Sequence, residues 1–186
     1  MKKMAFLTAL LIKTLIIGCK DEEKKMDGGT VMTNAEAVPV QTQSYDSVRA
    51  DTIEVKNVSM SKEEWKQKLG PEEYHILREA GTEPAFRNEY YDNKKEGIYY
   101  CGGCGLPLYS SNTKFDSGTG WPSFYAPIDP KLIKRKMDRR YGMERVEVLC
   151  AQCDSHLGHI FPYEGVPTEE RHCLNSLALD FKQMDI

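Results

Sequence analysis

The chain has 186 residues, with 28 acidic against 25 basic side chains and a net charge of -3. That length allows one ordinary domain with a proper core plus an additional segment. The slight acidic balance leaves no basic excess for gripping nucleic acid, so a genome-binding role is disfavoured and no nucleic-acid partner is expected.

The first stretch, MKKMAFLTALLIKTLIIGCK, opens on Lys2 and Lys3, runs through mostly apolar residues and ends at small Gly18 beside Cys19, the layout of an export signal. It is short and interrupted by Lys13, so it does not read as a permanent membrane-spanning helix. The string IIGC resembles a bacterial lipobox, which implies a lipoprotein signal peptide over residues 1–18, cleavage before Cys19 and acylation of its sulfur. The alternative, an apolar N-terminal helix folded into the core, would have to bury Lys13. Residues 19–58 are rich in charge, Gly, Thr and Gln and poor in periodic apolar positions, so they cannot offset the entropy of being ordered. They read as an acylated flexible tether, in which only DTIEVKN alternates as a short edge strand would. The implied location is the bacterial cell envelope, on a periplasmic or surface face.

An ordered domain is expected over residues 59–186. In MSKEEWKQKLG, Ser61 with Glu64 three residues on forms a capping box, and Met60 before the cap can staple onto Trp65. The helix is expected to stop at Gly70 as a left-handed terminal residue, and Pro71 to open a second helix with Tyr74 and Leu77 inward, ending at Gly81. His75 reads as a surface or packing residue. From Tyr90 onward, GIYYC, LPLY and RVEVLC are short β-branched or aromatic runs between Gly- and Pro-rich turns, and Val146 and Val148 alternate with Glu147 as in a half-buried strand. The domain is therefore expected to be mainly β, with short helices at its start.

Cys101 and Cys104 in CGGC, and Cys150 and Cys153 in CAQC, each set two sulfurs at knuckle spacing, and together they make four soft ligands for one tetrahedral zinc. Gly102, Gly103 and Gly105 supply the permissive backbone such a knuckle needs. Disulfides in an exported protein, a thioredoxin-type redox couple and a nucleic-acid-binding zinc ribbon are the rival readings, the last opposed by the acidic balance and the export signal. The redox couple is the weaker fit because both pairs fall in loops of a β region. A four-thiolate site has no open coordination position, so the ion would be a scaffold.

Cys173, in EERHCLNSLALDF, is then the thiol left over. An unpaired cysteine is most often a small buried hydrophobe. Here Arg171 and His172 precede it, and nearby positive charge favours the thiolate, while Asn175 adds an amide that can orient a polar substrate group. FDSGTGWPSF presents Trp121 from a Gly-rich turn, and DSHLGHIFPYEG sets His156 and His159 three residues apart, ahead of Phe161. With four cysteines available for metal, the two imidazoles are free for proton transfer. A thiol, two imidazoles, a guanidinium and an aromatic ring point to redox or acyl-transfer chemistry.

The blocks CGGCGLPLYSSNTKFDSGTGWPSF, CAQCDSHLGHIFPYEG and RHCLNSLALDF, in that order, resemble the signature blocks of the methionine-R-sulfoxide reductase family, the B type, from about Ser61 to Phe181. The resemblance implies two antiparallel sheets with N-terminal helices, and reduction of the R epimer of methionine sulfoxide in proteins. It also implies Cys173 as nucleophile, Cys101, Cys104, Cys150 and Cys153 as ligands of one structural zinc, and Trp121 against the sulfoxide methyl. His156, His159, Arg171 and Asn175 match the polar shell, and Phe161 a wall. Many relatives carry a resolving cysteine in SGCGW, where this chain has Thr119. Thr119 forms no disulfide, so recycling is expected to use an external thiol, from a thioredoxin-like protein or a small molecule. A zinc-stabilised binding module and a structural lipoprotein with disulfides are the alternatives outside enzymology. The acidic, unpatterned surface favours a monomer.

Overall fold

The computed structural model describes residues 52–184. The expected signal peptide, Cys19 and residues 19–51 of the expected tether therefore lie outside the described residues. Within them, two helices precede nine strands in two antiparallel sheets, as expected from the sequence.

Helix α1 (Lys62–Lys68) begins as its capping box dictates: the Ser61 hydroxyl accepts from the Glu64 N–H at 3.2 Å, and the Glu64 carboxylate accepts from the Ser61 N–H at 2.7 Å. A cap of this kind is worth about 1 kcal/mol. The helix buries Trp65, against which Arg78 stacks at 4.7 Å. Helix α2 (Pro71–Glu79) buries Tyr74, Ile76 and Leu77 and packs on β7 (His156–Pro162). The helix ends differ from expectation. Gly70 is not left-handed but stands at φ -63° as the N-cap of α2, and the left-handed residue closing α2 is Ala80, φ 55°. Gly81 follows as the residue over which the exposed His75 ring lies, a Cβ there standing 2.4 Å from that ring, and His75 itself pairs with Glu79 at 3.0 Å.

The first sheet has the order β2-β1-β9, with β1 Gly97–Cys101, β2 Pro107–Ser110 and β9 Leu179–Gln183. The second has the order β3-β4-β8-β7-β6-β5, from β3 (Lys114–Phe115), β4 (Ser123–Phe124), β5 (Ile133–Asp138), β6 (Arg145–Cys150), β7 and β8 (Glu170–Leu174). Their shared core is aromatic: Phe124 of β4 meets Tyr99 of β1 at 5.0 Å and Tyr109 of β2 at 4.8 Å, all three fully buried. Each such ring contributes roughly 1.5–3 kcal/mol over its exposed state.

Of the stretch DTIEVKN, residues 52–57 are described and form no strand ladder. Its alternation is that of a segment laid on the core, with Ile53 and Val55 packed inward and Val58 donating to Gln152 O at 2.8 Å. Glu147 departs from the half-buried pattern too: it is buried beside Val148, because its carboxylate has a partner inside.

Candidate active site and metal cluster

Cys101 ends β1 and Cys150 ends β6, so the two knuckles hang from different sheets and meet between them. All four sulfurs lie within 4.8 Å of one another, with Cys101–Cys153 at 3.7 Å and Cys104–Cys150 at 3.6 Å. None is bonded to another, so these are four thiols and not two disulfides. A tetrahedron with metal–sulfur bonds of about 2.3 Å has edges of about 3.8 Å, which these separations match. Each knuckle turns through one left-handed residue just after its second cysteine, Gly105 (φ 76°) and Asp154 (φ 56°), whose N–H groups return to Cys101 O and Cys150 O. Gly103 is required for room, since a Cβ there would meet Ser155 Oγ at 2.8 Å.

Away from this cluster, Cys173, Trp121, His159, Phe161 and Asn175 line one cleft of about 160 Å³, together with Thr82, Arg145 and Gly158. Cys173 sits in β8, opposite His159 of β7 on one side and Ser123 of β4 on the other. The approach of β7 demands Gly158, because a Cβ there would stand 2.0 Å from Cys173 O. Burial pushes the Cys173 thiol up, against the Arg171 charge and hydrogen bonds from Arg171 and Thr119, which favour the anion. The positive neighbour foreseen in the sequence is therefore present, but burial outweighs it. His172 supplies no charge at all. It lies on the other side of β8, fully buried against Tyr109 Oη at 2.9 Å, and burial pushes its pKa down to about 4.

Trp121 is held by its indole N–H, which donates to Glu83 O at 3.0 Å. Glu83 in turn donates its N–H to Asn175 Oδ1 at 3.2 Å, and its buried carboxylate accepts from the N–H groups of Ser176 and Leu177. Asn175 Nδ2 donates to Leu157 O at 3.2 Å, so one amide hydrogen is left for the cleft. Arg171 stacks on Phe161 at 4.9 Å and donates to Thr119 Oγ1 at 3.2 Å.

His159 lines the cleft with its Nε2 2.9 Å from Asp138 Oδ2. Asp138 also accepts from Arg140 and Arg145, and the Arg140 bond leads in holding its carboxyl well below the usual carboxylate range. An ionised carboxylate can only accept, so Nε2 carries the hydrogen and Nδ1 the lone pair. Burial pushes the His159 pKa down, which keeps the ring neutral. His156 does not line the cleft. It meets His159 edge-on at 5.3 Å and bonds Glu147 at 2.8 Å. Sequence reasoning missed Glu83, Asp138, Arg145 and Thr82. Arg145 brings a buried Nε–H that has no partner among the described residues.

This arrangement places a lone thiol in a cleft on a two-sheet scaffold, apart from a cluster of four cysteine sulfurs. The SelR domain model matches residues 69–183. A peptide methionine sulfoxide reductase MsrB of Methanosarcina barkeri is 52% identical over 127 residues, covering 68% of this chain and 89% of that protein. Those of Pseudomonas putida and Thiobacillus denitrificans are 50% and 51% identical, covering 98% and 92% of their own lengths and 70% and 66% of this one. The chain belongs to the SelR-domain family, the methionine sulfoxide reductases of the B type.

Proposed function

We propose that this enzyme reduces the R epimer of methionine sulfoxide residues in proteins, with Cys173 as nucleophile and an external thiol as the source of electrons. One observation carries the reading: Cys173 is the one described cysteine outside the sulfur cluster, and it opens into the cleft that holds Trp121, Phe161 and His159. The substrate's methyl group is apolar and suits the indole face, while its oxygen is a strong acceptor and needs donors. Arg145 Nε and the remaining Asn175 amide hydrogen are of that kind.

In the resting cleft the thiol keeps its proton, because burial raises its pKa. Its sulfur attacks the sulfoxide oxygen-bearing centre as the thiol proton passes to the departing oxygen, relayed by the His159 Nδ1 lone pair. The sulfur–oxygen bond of the substrate breaks as the hydroxyl passes to the Cys173 sulfur, the transient bond between the two sulfurs breaks with its electron pair leaving on methionine, and Cys173 is left as a sulfenic acid. One external thiol then condenses with it, releasing water and forming a mixed disulfide. A second thiol attacks that disulfide, restoring Cys173 and leaving the reductant oxidised. Thr119 occupies the place of a resolving cysteine, which supports direct use of a thioredoxin-like or small-molecule thiol.

Cys101, Cys104, Cys150 and Cys153 would hold one zinc ion, whose contribution is to fasten the two sheets. The signal-like residues 1–18 and the lipobox at Cys19 support a lipid-anchored location in the cell envelope and repair of proteins there, and the acidic surface supports a monomer.

The test is an assay of both epimers of a methionine sulfoxide peptide with dithiothreitol. Turnover of R alone, lost in Cys173→Ser, is expected; turnover of both epimers, or activity surviving Cys173→Ser, overturns the reading. Mass spectrometry after one turnover without reductant should find a trappable sulfenic acid on Cys173, and a disulfide at that residue would reject the recycling route.

A further inference from the structure

Two exposed aromatic residues sit in left-handed backbone, Phe86 at φ 59° and Tyr141 at φ 60°. Such a conformation is an outlier for a bulky side chain and has to be imposed by its surroundings. Tyr141 turns the connection between β5 and β6 together with Gly142 (φ 71°), a place where positive φ closes a hairpin. Phe86 closes no hairpin.

Its conformation is held by the loop that leads into Trp121. The Phe86 N–H donates to Gly120 O at 2.9 Å, and Asn88 Nδ2 donates to the same oxygen at 2.8 Å. The ring lies directly on the Gly120 backbone, where a Cβ would come within 2.6 Å of it. Gly120 is the residue before Trp121. The loop that carries Phe86 also supplies Thr82 to the cleft wall and Glu83 to the indole N–H. Tyr91 continues the line with its ring edge-on to Phe86 at 5.9 Å. Phe86 is 57% and Tyr91 37% exposed, so both rings of this aromatic strip meet water.

We propose that Phe86, backed by Tyr91, is a docking strip for the polypeptide that flanks the oxidised methionine, taking the apolar side chain next to it. The proposal rests on the reading that the enzyme acts on methionine sulfoxide within proteins. A cleft of about 160 Å³ holds little more than one side chain, so the chain on either side must leave across its rim. Through its packing on Gly120, next to Trp121, this strip offers exposed apolar surface beside that wall. A substrate without flanking residues makes no use of it.

Steady-state kinetics of the parent, Phe86→Ser and Phe86→Leu distinguish the outcomes, using three R-sulfoxide substrates: a capped single amino acid, a peptide with leucines beside the sulfoxide, and one with serines. Phe86→Ser is expected to raise KM for the leucine peptide about five- to tenfold, the scale of one partly buried ring, with kcat unchanged. The capped amino acid and the serine peptide should keep their KM, and Phe86→Leu should resemble the parent. A parallel loss on all three substrates would mean that Phe86 only shapes the Gly120–Trp121 turn, and no change on the leucine peptide would mean that it touches nothing; either result overturns the proposal. Calorimetric binding of the leucine peptide to Cys173→Ser, with and without Phe86→Ser, requires no turnover. Phe86-dependent binding by a parent that fails to reduce the peptide would sink the reductase reading and leave the docking strip standing.

Discussion

Ser123 stands directly across the β4–β8 ladder from Cys173, and its hydroxyl is 2.8 Å from Ser117, which is 2.8 Å from Thr119. This hydroxyl chain ties the 117–119 turn to the strand beside Cys173, near enough for Thr119 to influence its sulfur. Thr119→Cys should therefore form a disulfide with Cys173 after a single turnover. Peptide mapping reads it directly, and a sulfenic acid persisting in that variant would contradict the placement of the turn.

Arg171 opposes the burial that holds Cys173 protonated. Arg171→Gln should move the alkylation profile of Cys173 to higher pH, slowing its reaction with iodoacetamide about tenfold near neutrality for each unit of displacement. A profile identical to the parent's would assign the guanidinium to its stacking on Phe161 alone.

The sulfur cluster joins the ends of β1 and β6, so the zinc ion proposed for it is expected to carry folding energy. Cys104→Ser should lose the metal and several kcal/mol of stability, visible as a lower Tm and as absence of zinc by atomic absorption. Equal thermal stability with and without metal would mean that the sheets hold themselves.

Folded His172 takes up its proton only near pH 4, whereas the unfolded imidazole does so near 6.5. Between those values the unfolded state binds more protons, so stability rises with pH and is lost as pH falls through the window. The full effect is roughly 3 kcal/mol. His156 and His159, also lowered by burial, act in the same sense. Urea midpoints from pH 7.5 down to 4.5 should fall in the parent and less steeply in His172→Gln, which keeps a partner for Tyr109.

The capping box and the cysteine knuckles were readable because their logic is local: a hydroxyl and a carboxylate three residues apart, two thiols two residues apart. The Asp138–Arg145–His159 group was not, since in MDRRYGMERVEV it looks like a solvated charge run. It becomes a site only when β5 and β6 pair Asp138 with Arg145 and β7 brings in His159. Glu83 was hidden for the same reason, its partners Ser176 and Leu177 lying far along the chain. Gly70 and Gly81 show the limit in a different form. Both stand near helix ends, where glycine commonly turns left-handed, yet one starts the next helix and the other lies under the His75 ring. The charge beside Cys173 was legible and the burial that outweighs it was not, because burial belongs to the assembled sheets.

The two kinds of sulfur in this fold age differently. In the proposed cycle Cys173 meets oxidant as part of its work and is renewed by external thiol, whereas the four clustered sulfurs have no such renewal. Under hypochlorite or peroxide, the working life of the molecule should accordingly be set by its fastener and not by its blade: the first irreversible injury is the parting of β1 from β6, with Cys173 still chemically intact.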